Sequence, residues 1–198
     1  MIFGAVLVLA GLSLFLYNQY QAEQADDALE VLMPQVVSAI LDRSESTQSS
    51  QSEDTAELYA PESMGNEMPE AVIEGNAYIG YISIPALSLE LPVMTDWSYE
   101  QLQSAPCRYS GTVKGNDLVI MAHNYWVHFG QLSKLTVGDT VAFTDINGIT
   151  TYYAVAAKDI LSAYAVEEMT AGEYDLTLFT CNYSGQSRMT VRCDRIDA

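Results

Sequence analysis

The run Leu176-Thr177-Leu178-Phe179-Thr180-Cys181 constrains the fold more than any other stretch of the chain. It is short, rich in β-branched and aromatic residues, and free of glycine and proline, which predicts a buried strand. Cys181 stands where that strand runs out into Asn182-Tyr183-Ser184-Gly185, a turn-rich segment. Arg188 opens a second strand, which would return alongside the first. A thiol at a strand mouth beside a guanidinium suits a nucleophile. The same position also suits a small core hydrophobe, because free cysteines are among the most buried residue types.

A second strand mouth adds to this picture. Leu118-Val119-Ile120-Met121-Ala122 is another apolar run, and it ends in His123-Asn124. The chain has only 2 histidines, and one of them sits there. A cysteine with a pKa near about 8.5 is mostly thiol at neutral pH and needs a base or an imidazolium partner. His123, Cys181 and Arg188 can therefore supply acid/base, nucleophile and oxyanion stabiliser.

These residues carry a resemblance. Thr177-Leu178-Phe179-Thr180-Cys181, Ala122-His123-Asn124 and Arg188-Met189-Thr190-Val191 resemble the motifs of the sortases, the membrane-anchored cysteine transpeptidases of Gram-positive surfaces. Gly80-Tyr81-Ile82-Ser83-Ile84-Pro85, Leu91-Pro92-Val93 and Gly138-Asp139-Thr140-Val141 extend the match, which covers about residues 78–196 in order. The resemblance implies a closed eight-stranded β-barrel with short helices. It implies His123, Cys181 and Arg188 as the catalytic set, with Thr180, Asn124, Ala165 and Val166 lining the substrate site. The substrate would be a C-terminal sorting-signal peptide of an exported protein, passed through a thioester to an amine on a cell-wall precursor or a pilin subunit. A cysteine hydrolase that uses water as acceptor is the alternative. The short connection between Cys181 and Arg188 departs from the family pattern and leaves the subclass open, with class B-like as one reading. No cofactor is expected; calcium near Glu167-Glu168, as in part of the family, is a weaker reading than a solvated acidic pair.

Three residue types have competing members. Arg192 shares strand parity with Arg188, and only the Arg-Met-Thr-Val match separates them. His128 falls in the aromatic loop Tyr125-Trp126-Val127-His128-Phe129 and reads as a packing or surface histidine. Cys107 and Cys193 read as thiols in apolar surroundings, with a disulfide between them as the alternative. An odd total of 3 cysteines leaves at least one thiol free.

Apart from the motifs, residues 72–198 carry strand and turn signals over 78–84, 87–93, 141–145 and 149–156. Helical turns are expected over 99–102 and 165–172. Asn147-Gly148 predicts a tight hairpin with positive φ at both positions. Seven or eight strands with few helices suggest a closed barrel without reference to any family.

The N-terminal part differs in composition. Of the net charge of -18, residues 1–74 hold 13 acids against Arg43 alone, while residues 75–198 hold 13 acids against 7 bases. No basic run exists, which argues against nucleic acid as a partner. Residues 1–18 read as an uncleaved transmembrane signal anchor, although the apolar run of about sixteen residues is slightly short of the ~20 that a span usually needs. That anchor would put the catalytic domain outside the cell on a single-pass protein. Residues 19–43 read as a helical stalk that Pro34 should kink or split. Residues 44–71, acidic and serine-rich, read as a solvated linker; a lid, with Tyr59-Ala60-Pro61 as its contact, is the competing idea.

Overall fold

The computed structural model describes residues 2–49, 68–182 and 184–196. Its elements are α1 (Ile2–Ser49), β1 (Ala71–Ile73), β2 (Asn76–Ile84), β3 (Leu89–Met94), α2 (Gln101–Ser104), β4 (Cys107–Ser110) and β5 (Leu118–Ala122). They continue through β6 (Thr140–Asp145), β7 (Thr150–Ser162), α3 (Val166–Met169), β8 (Leu176–Cys181) and β9 (Ser187–Arg195). Short 3₁₀ turns occupy Pro85–Leu87 and Phe129–Lys134.

β2 is used twice, and this closes the sheet. It pairs with β3 along one edge and with β6 along the other, where Gly80 faces Asp145 and Ser83 faces Ala142. The remaining neighbours run β3-β4-β5-β8-β9-β7-β6, so eight strands form a barrel and β1 only adds a hairpin to the start of β2. β3–β4 and β5–β8 are parallel and the other pairs antiparallel, which makes the barrel mixed. Gly80 makes the closure possible. Its φ is 144°, and a Cβ there would land on the carbonyl oxygen of Thr144 in β6, so only glycine lets the two backbones approach this closely.

Alternate strand residues point inward. Ile82, Ile84, Leu91, Val93, Leu118 and Ile120 meet Phe143, Leu176, Leu178 and Val191 in one buried cluster. Each such side chain contributes about 1.5–3 kcal/mol on burial. Both free thiols outside the strand mouth are also buried: Cys193 lies in this cluster, Cys107 in a second one, and neither is in a disulfide.

Two local expectations change. At the β6–β7 hairpin only Gly148 has positive φ, at 81°. The turn is instead organised by Asp145, whose carbonyl oxygen accepts from Gly148 N at 2.9 Å while its Oδ1 accepts from Asn147 N and Ile149 N, both at 2.9 Å. β7 also runs on to Ser162, because a bulge between Val155 and Ala157 resets its register on β9. That bulge breaks the alternation that the sequence offers.

α1 is one continuous helix with Pro34 inside it, so of the expected kink or split the split does not occur. Ala25, Leu29, Leu32, Val36 and Ile40 are buried at three- and four-residue spacing, which is one helix face. That face packs against β2, β3 and α2 as part of the core. Gln35 Nε2 donates to Glu74 Oε1 at 3.0 Å and Arg43 Nη1 to the carbonyl of Glu70 at 3.1 Å. The start of the helix remains unburied, with Leu7, Leu9, Phe15 and Leu16 each more than half exposed. Among the described residues no helix is long and apolar enough to cross a membrane, so the span expected over 1–18 is not found. The apolar run gives out at Tyr17-Asn18-Gln19. The part of the linker and possible lid at 50–67 lies outside the described residues.

Candidate active site

Strand register brings the chemistry together. β5 and β8 run parallel with Ala122 opposite Thr180. His123 and Cys181 are the next residue on each strand and so emerge at the same end of neighbouring strands, which are spaced about 4.8 Å apart. β8 and β9 are antiparallel, and Cys181 is the direct cross-strand partner of Arg188. The short connection forms a tight turn. Gly185, with φ of 70°, donates its N–H to the carbonyl of Asn182 at 2.9 Å, and Asn182 N donates to the carbonyl of Ser187 at 2.9 Å.

All three residues are half-buried and line one cavity of about 190 Å³. Its other walls are mostly apolar. Trp97, Tyr99 and Tyr109 form one side, with Trp97 and Tyr109 ring centroids 6.0 Å apart and Tyr109 edge-on to Phe179 at 5.3 Å. Ala165, Val166 and Met169 form another. Arg188 Nη1 donates to the carbonyls of Gly185 at 2.9 Å and Ser187 at 3.3 Å, which fixes the guanidinium beside the thiol. The ring of His123 packs on Tyr125 at 4.8 Å, and burial lowers its pKa from 6.5. At neutral pH His123 is therefore a neutral imidazole that can accept a proton.

The residues expected to line the substrate site separate into two groups. Ala165 and Val166 line the cavity. Thr180 does not: it is buried, and its Oγ1 donates to the carbonyl of Ala122 at 2.8 Å. It thus ties β8 to β5 immediately before Cys181 and His123. Asn124 faces a different depression, shared with Asn182, Tyr125, and Phe15 and Asn18 of α1. Trp97, Tyr99, Tyr109 and Met169 were missed as site residues. Two aromatics around a serine in Trp97-Ser98-Tyr99, with no alternation to bury them, were the available signal.

The competitors are placed elsewhere. His128 is fully buried, its ring 5.5 Å from that of Tyr125 and near the backbone of Ser104. Burial and the neighbouring His123 push its pKa down to about 4. Burial likewise pushes Cys107 and Cys193 up to about 12, which leaves them as unreactive thiols. Arg192 is buried behind the site and does not line the cavity. Glu167 and Glu168 lie on α3 facing away from the cavity, and among the described residues no group of three or more His, Cys, Asp or Glu could hold a metal ion.

A mixed eight-stranded barrel with cysteine, histidine and arginine at one mouth has the groups that thiol acyl transfer needs. Comparison with known proteins agrees: the sortase domain matches residues 82–196, and the chain belongs to the sortase family. It is a sortase-family cysteine transpeptidase. Among solved structures it is similar to sortase C1 of Streptococcus suis, at 28% identity over 61% of this chain and 74% of that one, with a TM-score of 0.54. It is similar in fold to sortase C of Streptococcus pneumoniae (22% identity, 87% and 97% covered, TM-score 0.57). It is also similar in fold to sortase C of Clostridium perfringens SM101 (21% identity, 92% and 97% covered, TM-score 0.56). No curated protein matches. These structural neighbours are class C sortases, so the class B-like expectation is corrected. The short Cys181–Arg188 connection is a local tight turn, closed by the Gly185 N–H on the Asn182 carbonyl.

Proposed function

We propose that this chain cleaves a C-terminal sorting motif of an exported protein and transfers the acyl fragment to an amine on a pilin subunit or cell-wall precursor. The observation that supports the reading is the register: Ala122 opposite Thr180 and Cys181 opposite Arg188 bring His123, Cys181 and Arg188 to one strand end at one mostly apolar cavity.

In the first half-reaction Cys181 Sγ attacks a backbone carbonyl of the bound peptide, and its proton passes to His123. Charge builds on the carbonyl oxygen, where the fixed charge of Arg188 stabilises it. Nη1 is held by the β8–β9 turn, so Nε and Nη2 are the donors presented to the oxyanion. The C–N bond breaks, His123 protonates the leaving amine, and a thioester remains on Cys181. In the second half-reaction the incoming amine attacks the thioester carbonyl, gives its proton to His123, and the C–S bond breaks to restore the thiol. The aromatic wall of Trp97, Tyr99 and Tyr109 suits an apolar side chain of the donor peptide. The apolar start of α1 suits membrane association, with the barrel on the outer face of the membrane.

The test is product partitioning with a library of sorting-type peptides, with and without triglycine or a lysine-bearing peptide. The amine adduct is expected to grow at the expense of the hydrolysed product. Hydrolysed product alone, at every acceptor concentration, would make the chain a hydrolase that uses the same residues.

A further inference from the structure

Arg192 is the arginine that sequence parity could not separate from Arg188, and the structure gives it a place of its own. It is 6% exposed, on the same face of β9 as Arg188 and Thr190. Its Nη2 donates to the carbonyl of Glu168 at 2.8 Å, and its Nη1 to the carbonyl of Met169 at 3.3 Å and to Thr177 Oγ1 at 3.0 Å. Nε lies 3.5 Å from Asp159 Oδ2 on β7, and the guanidinium is 5.6 Å from the ring centroid of Tyr174. One side chain thus joins β7, β8, β9 and the end of α3.

The two carbonyls it holds are those a helix end leaves without an internal partner. α3 is only 4 residues long, too short to hold its own shape in water. Yet Ala165, Val166 and Met169 from this segment form one wall of the cavity that Cys181, His123 and Arg188 share. Met169 is wedged from that wall into Val119 and Phe179. Arg192 grips the segment from behind, at Glu168 and at Met169, and the Met169 side chain lines the cavity in front.

We propose that Arg192 is a positioning residue that fixes α3 as a wall of the donor-peptide groove and so determines how tightly the groove takes its substrate. The inference rests on Cys181 being the nucleophile of that groove. A planar fork with several donors can hold both carbonyls and Thr177 together, whereas a lysine, a single point charge, can satisfy them only in part.

The test uses the full chain as wild type, Arg192→Met, Arg192→Lys and Thr177→Val. It measures acyl-enzyme formation from a sorting-type peptide and, separately, alkylation of Cys181 by iodoacetamide, which is too small to need the wall. Arg192→Met should raise KM about tenfold or more with kcat little changed, the pattern of lost uniform binding. Arg192→Lys should fall between it and wild type, Thr177→Val should shift KM in the same direction by less, and all should alkylate Cys181 at the wild-type rate. If Arg192→Met does not fold, the Arg192→Lys and Thr177→Val measurements decide. Wild-type KM in both, or alkylation slowed as much as acylation, would overturn the proposal. A wild-type chain that alkylates at Cys181 but acylates with no peptide would instead overturn the functional reading on which it rests.

Discussion

The shared position of Cys181, His123 and Arg188 at one barrel mouth was legible in the sequence because each closes or opens an apolar strand. The direction of a neighbouring hydroxyl was not legible. Thr180 alternates with the chain like any strand residue, and only the parallel pairing of β5 and β8 turns its Oγ1 onto Ala122. Reactivity at the three thiols differs for a physical reason. Cys107 and Cys193 are buried and pushed up to about 12, whereas Cys181 is half-buried at the cavity. Limited alkylation followed by mass-spectrometric mapping is therefore expected to label Cys181 before either of the others. Arg188→Ala should slow acyl-enzyme formation by about 10²–10³, the usual cost of losing an oxyanion donor. Its thermal midpoint should stay near wild type, because the side chain is half-exposed. His128 gives a pH prediction. Its folded pKa of about 4 lies below the ordinary 6.5, so between these values the unfolded chain binds a proton that the folded chain does not. Stability is full above about pH 6.5 and falls as pH drops towards about 4, by about 3 kcal/mol for this group. Urea unfolding at pH 7 and pH 4.5 should show the loss in wild type and much less of it in His128→Phe. An unchanged difference would mean that the ring is hydrated or partnered.

Elements carry these residues, and the least legible elements are those whose geometry depends on a distant strand. Asn147-Gly148 marked a hairpin correctly, but the form of the turn was decided by the Asp145 carboxylate, which caps two loop N–H groups. β7 was read too short because the bulge at Ala156 hides the second half of its pairing with β9. α3 was visible only as a turn between strands; what makes it a groove wall is Arg192, 23 residues after Met169. The link between β5 and β8 permits a test at this scale. Thr180→Val keeps the shape of the side chain and removes the bond to the Ala122 carbonyl, leaving a buried acceptor short of its partner. That should cost about 1–3 kcal/mol in stability. The loosened junction should also slow acylation more than it weakens peptide binding, because His123 and Cys181 both lie one residue beyond it. Stopped-flow acylation set beside equilibrium unfolding separates the two effects; a loss of stability with unchanged acylation would mean that the strand ends are held by the rest of the ladder.

At the scale of the whole molecule, composition divided the chain near residue 72, and the packing divides it elsewhere. Strand alternation and turn signals made the barrel legible. The helix in front of it read as a separate stalk over residues 19–43, because a periodic apolar face does not by itself say what it packs against. The periodic set Ala25, Leu29, Leu32, Val36 and Ile40 was in the sequence, but only docking shows which partner it meets. Leu29 joins the main core cluster, and Leu32, Val36 and Ile40 pack with Tyr78, Met94, Leu102 and Cys107. This gives deletions opposite expected outcomes according to where they stop. Removing residues 1–20 takes away no buried side chain among the described residues, since Phe15 and Asn18 only rim the depression at Asn124, so solubility should rise and the unfolding midpoint should hold. Removing residues 1–67 strips off four large buried side chains, each contributing about 1.5–3 kcal/mol. It also bares an apolar strip over β2, β3 and α2. A loss of several kcal/mol is a large share of the 5–15 kcal/mol that holds a typical domain together. The longer deletion should therefore unfold at much lower denaturant or aggregate, while the shorter one behaves as wild type. Denaturant melts of the two proteins and the full chain, with donor-peptide acylation as a second readout, check this. Equal midpoints in all three would show that the barrel stands alone and that α1 rests on it without stabilising it.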